Sequence, residues 1–195
     1  MARKLYEVGR VILGWVIANF LGVAAIGALG LILPFLKFIP GMLRSSLAIG
    51  LPIGLAQWLA LRRIAPISIL WVLTISASLL LGHKVSPILA GFLGESFDDE
   101  SVLSLTAAYT TIGLLVGLAQ WLFLRGHFTK SLVWLLSSAV GLGLGTGLVL
   151  ASNLINQSGI VSIILVVLVY ATTTGFVISW LRASQGKTAS KVNAT

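Results

Sequence analysis

The chain has 195 residues, of which 57% are hydrophobic and 9% charged, and its formal net charge is +8. Soluble domains carry about 25% charged residues, so this chain has too few to cover a surface that faces water. Most of its basic residues flank apolar runs, and the positive-inside rule explains them without any nucleic-acid partner. The absence of cysteine excludes disulfides, thiolate metal sites and cysteine nucleophiles.

Six apolar runs follow one another along the chain. They cover residues 11–33, 42–61, 67–81, 102–124, 132–151 and 160–181. A helical membrane crossing needs roughly 20 apolar residues, and helices are required because lipid cannot satisfy free backbone groups. The first run is too long for the core of a signal peptide. We therefore predict an all-α membrane protein, a single transmembrane domain over residues 1–195 with six transmembrane helices.

The segments that join the runs differ in basic charge. The N-terminus, the second and fourth loops and the C-terminal tail hold ten basic residues, and the opposite side holds three. The ten are Arg3, Lys4, Arg10, Arg62, Arg63, Arg125, Lys130, Arg182, Lys187 and Lys191, and the three are Lys37, Arg44 and Lys84. We therefore expect both termini in the cytoplasm, with the chain in the plasma membrane or an internal membrane of a bacterium.

All six tryptophans lie near the expected cytoplasmic ends of the runs. An indole has an apolar body and one N–H donor, and it prefers the headgroup level of a bilayer. We interpret the six tryptophans and two arginines as interfacial anchors: Trp15, Trp58, Trp71, Trp121, Trp134, Trp180, Arg62 and Arg125.

A repeat with an offset of 63 residues relates residues 49–82 to residues 112–145. The segment GLAQWLALR at 54–62 returns as GLAQWLFLR at 117–125, and 17 of the 34 aligned positions are identical. The last run ends in Ser179-Trp180-Leu181-Arg182, a weaker form of the same ending. We predict three parallel helical-hairpin repeats, over about 10–62, 63–125 and 126–182, followed by a short basic tail over 183–195.

Small and polar residues share one face of the repeated helices. Glycines four residues apart allow two helices to approach closely, so we predict six helix-packing positions: Gly50, Gly54, Gly113, Gly117, Gly141 and Gly145. An amide on such a face either bonds across the helix contact or lines a polar site. For the second alternative the candidates for a polar intramembrane site are Asn19, Gln57, Gln120 and Ser179.

No catalytic constellation is visible. No Asp or Glu lies inside a predicted helix. Proton relays and ion-coupled pumps usually need such groups. We therefore expect that the protein is not an enzyme. Two alternatives remain: His83 could ligate a metal or a pigment, and the acidic loop from Glu95 to Glu100 could bind a cation. A single His and a loop without the calcium-binding pattern are weak signals. We therefore assign no catalytic, metal-binding or cofactor-binding residue, and any cofactor is unknown.

The run from Gly54 to Leu73, G-L-A-Q-W-L-x-L-R-x8-W-x-L, resembles a repeat in membrane proteins of cyanobacteria and related bacteria. In that group the helix end Gln-Trp-Leu-x-Leu-Arg precedes a Trp-rich helix start. The resemblance covers the two full copies and not the first and third hairpins. It implies a membrane location and no established activity.

Three hypotheses for the function follow. The first is an integral membrane protein of structural or accessory type, which packs through its small-residue faces with itself or a membrane complex, with the lipid bilayer as its surroundings. The second is a binding or transport protein for a small solute, similar in size to the substrate-binding subunit of an importer, or a channel. The third is a protein that binds a pigment or a quinone.

Overall fold

The computed structural model describes residues 2–30, 39–92, 102–152 and 159–192. Within these ranges the chain forms six α-helices and no strand, which confirms the predicted all-α class. The helices are α1 (Ala2–Gly30), α2 (Gly41–Leu61), α3 (Trp71–Phe92), α4 (Val102–Leu124), α5 (Leu132–Ala151) and α6 (Gly159–Val192). Each corresponds to one of the six apolar runs.

Four of these helices are long and apolar enough to cross a membrane. They are α1, α4, α5 and α6, whereas α3 contributes a shorter apolar stretch over Trp71–Val85. α2 contains a buried proline, Pro52, which membrane helices tolerate when neighbours satisfy the freed backbone groups. These features fit an integral membrane protein, and six crossings remain a prediction.

The helices form a closed ring. Among the described residues each helix packs against the helices before and after it in the chain, and α1 packs against α6. Two turns of similar geometry follow α2 and α4: the backbone N–H groups of Ala65 and Phe128 donate to the carbonyl oxygens of Leu61 and Leu124, at 3.0 and 2.9 Å. Leu61, Leu124 and Leu181 pack in one cluster. Because an arginine follows each of them, we name this end of the ring the basic end and the opposite end the far end.

The distribution of polar residues is the reverse of that in a soluble protein. Leu13, Leu136, Leu144 and Leu148 are between 57% and 60% exposed, whereas serine, threonine, asparagine and glutamine side chains fill much of the interior. Large contiguous apolar surfaces are rare on soluble monomers. A lipid environment explains this surface, because acyl chains solvate leucine as well as a protein core does.

The six glycines predicted to pack helices all face another helix of this chain. A Cβ at Gly54 would collide with the Val72 backbone in α3, and one at Gly117 would lie 2.8 Å from the Cα of Leu135 in α5. Gly50 lies against Ser76, and Gly113 lies against Ser138 and Ala139. Gly141 lies against Tyr170, and Gly145 lies against Val166. These six small faces are therefore occupied by contacts within the chain.

Candidate functional site

Three tryptophans meet in the centre of the ring at the basic end. Trp15, Trp71 and Trp134 come from α1, α3 and α5 and are 2%, 0% and 0% exposed. The ring centroids of Trp15 and Trp134 are 5.5 Å apart, and those of Trp71 and Trp134 are 6.1 Å apart. Fully buried leucines pack around them. The basic end is therefore closed by apolar side chains.

The interpretation of these three tryptophans as interfacial anchors is wrong. An anchor presents its indole N–H to the headgroups, but here the N–H groups of Trp15, Trp71 and Trp134 donate to side chains inside the ring. Side chains in the interior accept these hydrogen bonds and take the place of the lipid headgroups.

The other predicted anchors lie at or near the surface of the ring. Trp58 and Trp121 are half-buried and Trp180 is exposed. Cations lie over these rings at the basic end: Arg62 at 4.9 Å from the centroid of Trp58, Arg125 at 5.5 Å from that of Trp121, and Lys130 at 5.4 Å from that of Trp180. Their role as anchors remains a prediction.

A layer of buried amides lies next to the tryptophans on the side of the far end. Gln57 Nε2 donates to Asn19 Oδ1 at 2.8 Å, and Gln120 Nε2 donates to Gln57 Oε1 at 3.0 Å. The indole of Trp71 donates to Gln57 Oε1 at 3.3 Å, and that of Trp134 donates to Gln120 Oε1 at 3.0 Å. The structure thus joins three of the four predicted polar residues in one hydrogen-bonded network, which we name the amide layer.

The first and last helices are linked in a similar way, but through a residue that the sequence did not indicate. Trp15 Nε1 donates to Thr174 Oγ1 of α6 at 2.9 Å. The predicted fourth member, Ser179, is buried but is not among the side chains that these bonds connect. The pairs Trp71–Gln57 and Trp134–Gln120 are each 14 residues apart, whereas Trp15 and Thr174 are 159 apart. No local spacing therefore predicts Thr174.

A cavity of about 160 Å³ lies inside the ring, beyond the amide layer. All six helices line it, and the lining is aliphatic apart from Asn19, Tyr109 and Tyr170. Asn19 lies one turn from Trp15, near the closed basic end. Ile49 and Tyr109 lie farther toward the far end and are 39% and 41% exposed.

Tyr170 lines this cavity, but its hydroxyl oxygen is fully buried. Its side chain is 6% exposed, and its hydroxyl makes no hydrogen bond among the described residues, although Gln57 and Ser138 lie nearby. A buried hydroxyl without a partner is costly. Nothing in the sequence around Tyr170 indicated this buried hydroxyl.

The site offers hydrogen bonds and apolar contact. Among the described residues no group of three or more His, Cys, Asp or Glu side chains is placed to hold a metal ion. His83 is exposed on α3. The acidic segment from Glu95 to Glu100 lies outside the described residues. The arrangement is suited to holding a neutral, apolar molecule.

The fold and this site define a helical, membrane-type protein with a closed ring of six helices and a polar layer in its interior. Comparison with family models, with curated proteins and with solved structures found no match to the chain.

Proposed function

We propose that this protein is an integral membrane protein that binds one small, mostly apolar molecule inside its six-helix ring. The observation that carries the proposal is the cavity, which all six helices line with almost entirely apolar surface. Ligand sites are typically concave and apolar with a few polar groups that fix the orientation of the ligand. The amide layer supports the deep end of this one.

The volume of the cavity limits the ligand. An apolar cavity of about 150 Å³ is known to hold benzene, so about 160 Å³ accommodates one six-membered ring or the end of a branched chain. A single quinone ring falls within this limit, whereas a pigment with several linked rings does not.

Binding is favoured over conduction because the basic end is closed. Trp71, Trp134 and the leucines Leu61, Leu124 and Leu181 are all 0% exposed. A solute in the cavity therefore has no path past them in this structure. This argues against an open channel and leaves transport dependent on a second conformation.

A structural or accessory role stays an alternative, but the small-residue faces no longer favour it. The hypothesis depended on small-residue faces that bind a partner, and these glycines contact other helices of the same chain. Leucine in place of Gly54 or Gly117 should therefore disrupt the fold itself, before any assembly.

The hairpin arrangement and the cytoplasmic location of both termini are part of the same proposal. Two observations support the hairpins: equivalent Trp–Gln bonds recur 63 residues apart, and equivalent turns follow Leu61 and Leu124. The grouping of Arg62, Arg125 and Arg182 at one end of the ring supports the orientation.

The test is native mass spectrometry of protein that is extracted gently from its own membrane, with two variants on α5. Leu142 lines the cavity, whereas Leu144, two residues later, is 57% exposed on the outside. We expect the wild type and Leu144→Trp to retain a stoichiometric small molecule and Leu142→Trp to lose it.

Two results would overturn the proposal. One is a wild-type protein that carries no small molecule under these conditions. The other is a ligand that Leu142→Trp retains as well as Leu144→Trp does, because that ligand would lie elsewhere.

A further inference from the structure

A second cleft lies at the basic end, on the outside of the ring where α1, α2 and α6 meet. Its volume is about 390 Å³, and three arginines contribute to its lining: Arg10 from α1, Arg63 from the turn after α2, and Arg182 from α6. All three side chains are exposed. Three guanidinium groups thus surround one concave space, and we name it the arginine cleft.

The arginine cleft has an excess of positive charge. Among the described residues the structure shows no ion pair for Arg10, Arg63 or Arg182, whereas Arg62 and Arg125 lie over indole rings. Like charges that converge repel each other, and the one carboxylate nearby along α1 is that of Glu7, three residues before Arg10. An anion in the cleft would relieve this repulsion, and arginine binds phosphate through paired, charge-assisted hydrogen bonds.

The arginine cleft continues into an apolar groove along the outer surface of α1 and α2. The groove has a volume of about 840 Å³ and shares Gly14, Ala60 and Arg63 with the cleft. It follows α1 from Gly14 to Ala25, a distance of roughly 16 Å at the rise of an α-helix. One leaflet of a bilayer has a hydrocarbon thickness of roughly 15 Å, so the groove matches the depth of a single leaflet.

We propose that the arginine cleft and this groove together bind one anionic phospholipid. The phosphate lies among Arg10, Arg63 and Arg182, and one acyl chain follows the groove between α1 and α2. Basic pockets between membrane helices are known to bind anionic headgroups, and here the chemistry of both halves of the lipid is matched in one continuous surface.

The second copy of the internal repeat does not reproduce this site. Arg62 has a counterpart in Arg125, but Gly126 occupies the position equivalent to Arg63. The second copy of the repeat therefore lacks the arginine that the cleft and the groove share.

The experiment measures lipid retention by native mass spectrometry after the purified full chain is mixed with phosphatidylglycerol or phosphatidylcholine. The test variant carries Arg10→Gln, Arg63→Gln and Arg182→Gln. The control variant carries Arg62→Gln, Arg125→Gln and Lys130→Gln, which removes the same charge from the same end outside the cleft. We expect the wild type and the control to retain one phosphatidylglycerol in preference to phosphatidylcholine, and the test variant to bind it at least about tenfold more weakly.

A third variant tests the acyl-chain groove without changing the charge. A Cβ at Gly14 meets nothing within 4 Å, so Gly14→Leu fills the groove without a collision inside the protein. We expect it to weaken retention of phosphatidylglycerol while its thermal stability stays close to that of the wild type.

Three results would overturn the proposal. Equal loss in the charge-matched control would show a general surface effect of charge. Unchanged retention by Gly14→Leu would show that no chain occupies the groove. Equally tight binding of inorganic phosphate alone, with the same dependence on the three arginines, would show a site for a free anion.

Discussion

The indole of Trp134 shows how a single side chain serves both packing and polarity in this interior. Its ring contacts Trp15 and Trp71, and its N–H supplies the donor for the Oε1 of the fully buried Gln120. In a low-dielectric interior an acceptor without a donor is costly. The tryptophans therefore make burial of the amides possible, and the amides satisfy the tryptophans.

We expect Trp134→Phe to destabilise the protein by about 1–3 kcal/mol, because Gln120 Oε1 loses its donor and the smaller ring leaves a void. The matched control is Trp180→Phe, which removes the same atoms from a side chain that is 43% exposed and should change stability by less than about 0.5 kcal/mol. Thermal unfolding midpoints in one detergent compare the two. Equal midpoints would contradict the role of Trp134 as a buried donor.

Tyr170 behaves differently because its hydroxyl has no hydrogen-bond partner among the described residues. Removal of a buried, unpaired hydroxyl is neutral or stabilising, so Tyr170→Phe should leave the melting temperature of ligand-free protein unchanged or raise it. Tyr109→Phe, at the exposed end of the cavity, is the control. A loss of more than about 1 kcal/mol in ligand-free Tyr170→Phe would show that Gln57 or Ser138 bonds to the hydroxyl.

The helices of this ring are held together by close backbone contact. α4 meets α5 at Gly117 and α2 meets α3 at Gly54, where no side chain larger than hydrogen fits. In lipid, helices do not gain from burying apolar surface against each other, so van der Waals contact and interhelical hydrogen bonds must hold them. Glycine permits both by bringing the backbones close.

Alanine substitutions at two glycines separate the effect of close backbone contact from the effect of helix propensity. Alanine favours a helix over glycine by about 1 kcal/mol, so Gly27→Ala in α1, where a Cβ meets nothing within 4 Å, should stabilise the protein. Gly117→Ala should destabilise it, because the Cβ would lie 2.8 Å from the Cα and 2.9 Å from the carbonyl oxygen of Leu135. Chemical denaturation in mixed micelles measures both. Stabilisation by Gly117→Ala would show that α4 and α5 separate easily.

At the scale of the whole molecule, the contact between α1 and α6 decides whether the ring is closed. Residues 159 positions apart form the Trp15–Thr174 bond. Gly175 lies against Ile12, and a Cβ at Gly175 would be 3.7 Å from the Cα of Ile12. Closure gives the cavity its sixth wall, since α1 and α6 both line it. An open row of six helices would leave the amide layer exposed to lipid.

The absence of native cysteine makes closure directly testable. The pair Ile12→Cys and Gly175→Cys should form a disulfide on mild oxidation, because the Cβ positions are within reach. The control pair, Ile12→Cys and Phe176→Cys, places the second thiol on a position that is 59% exposed and should not link. After cleavage at a protease site inserted in the turn over residues 125–131, only the linked protein should migrate as one species on a non-reducing gel. Equal linking by both pairs would contradict the orientation of α6.

The sequence by itself determined the helices and part of the polar network. Apolar runs determine the helix positions because lipid allows no other backbone pairing for such segments. A repeat that keeps Gln, Trp and Arg in register identifies Gln57 and Gln120 as candidates for a polar intramembrane site. The sequence also indicated Asn19, through its polarity within an apolar run.

Only the tertiary structure decided which way the tryptophans point and which residues complete the site. Trp15, Trp71 and Trp134 have the same sequence context as headgroup anchors, and only the arrangement of neighbouring helices provides their acceptors inside the ring. Thr174 and Tyr170 reach Trp15 and the cavity because α6 returns to α1. Contacts between the two ends of a chain leave no periodic signal in it, so closure of the ring, its cavity and the arginine cleft could not be predicted from local patterns.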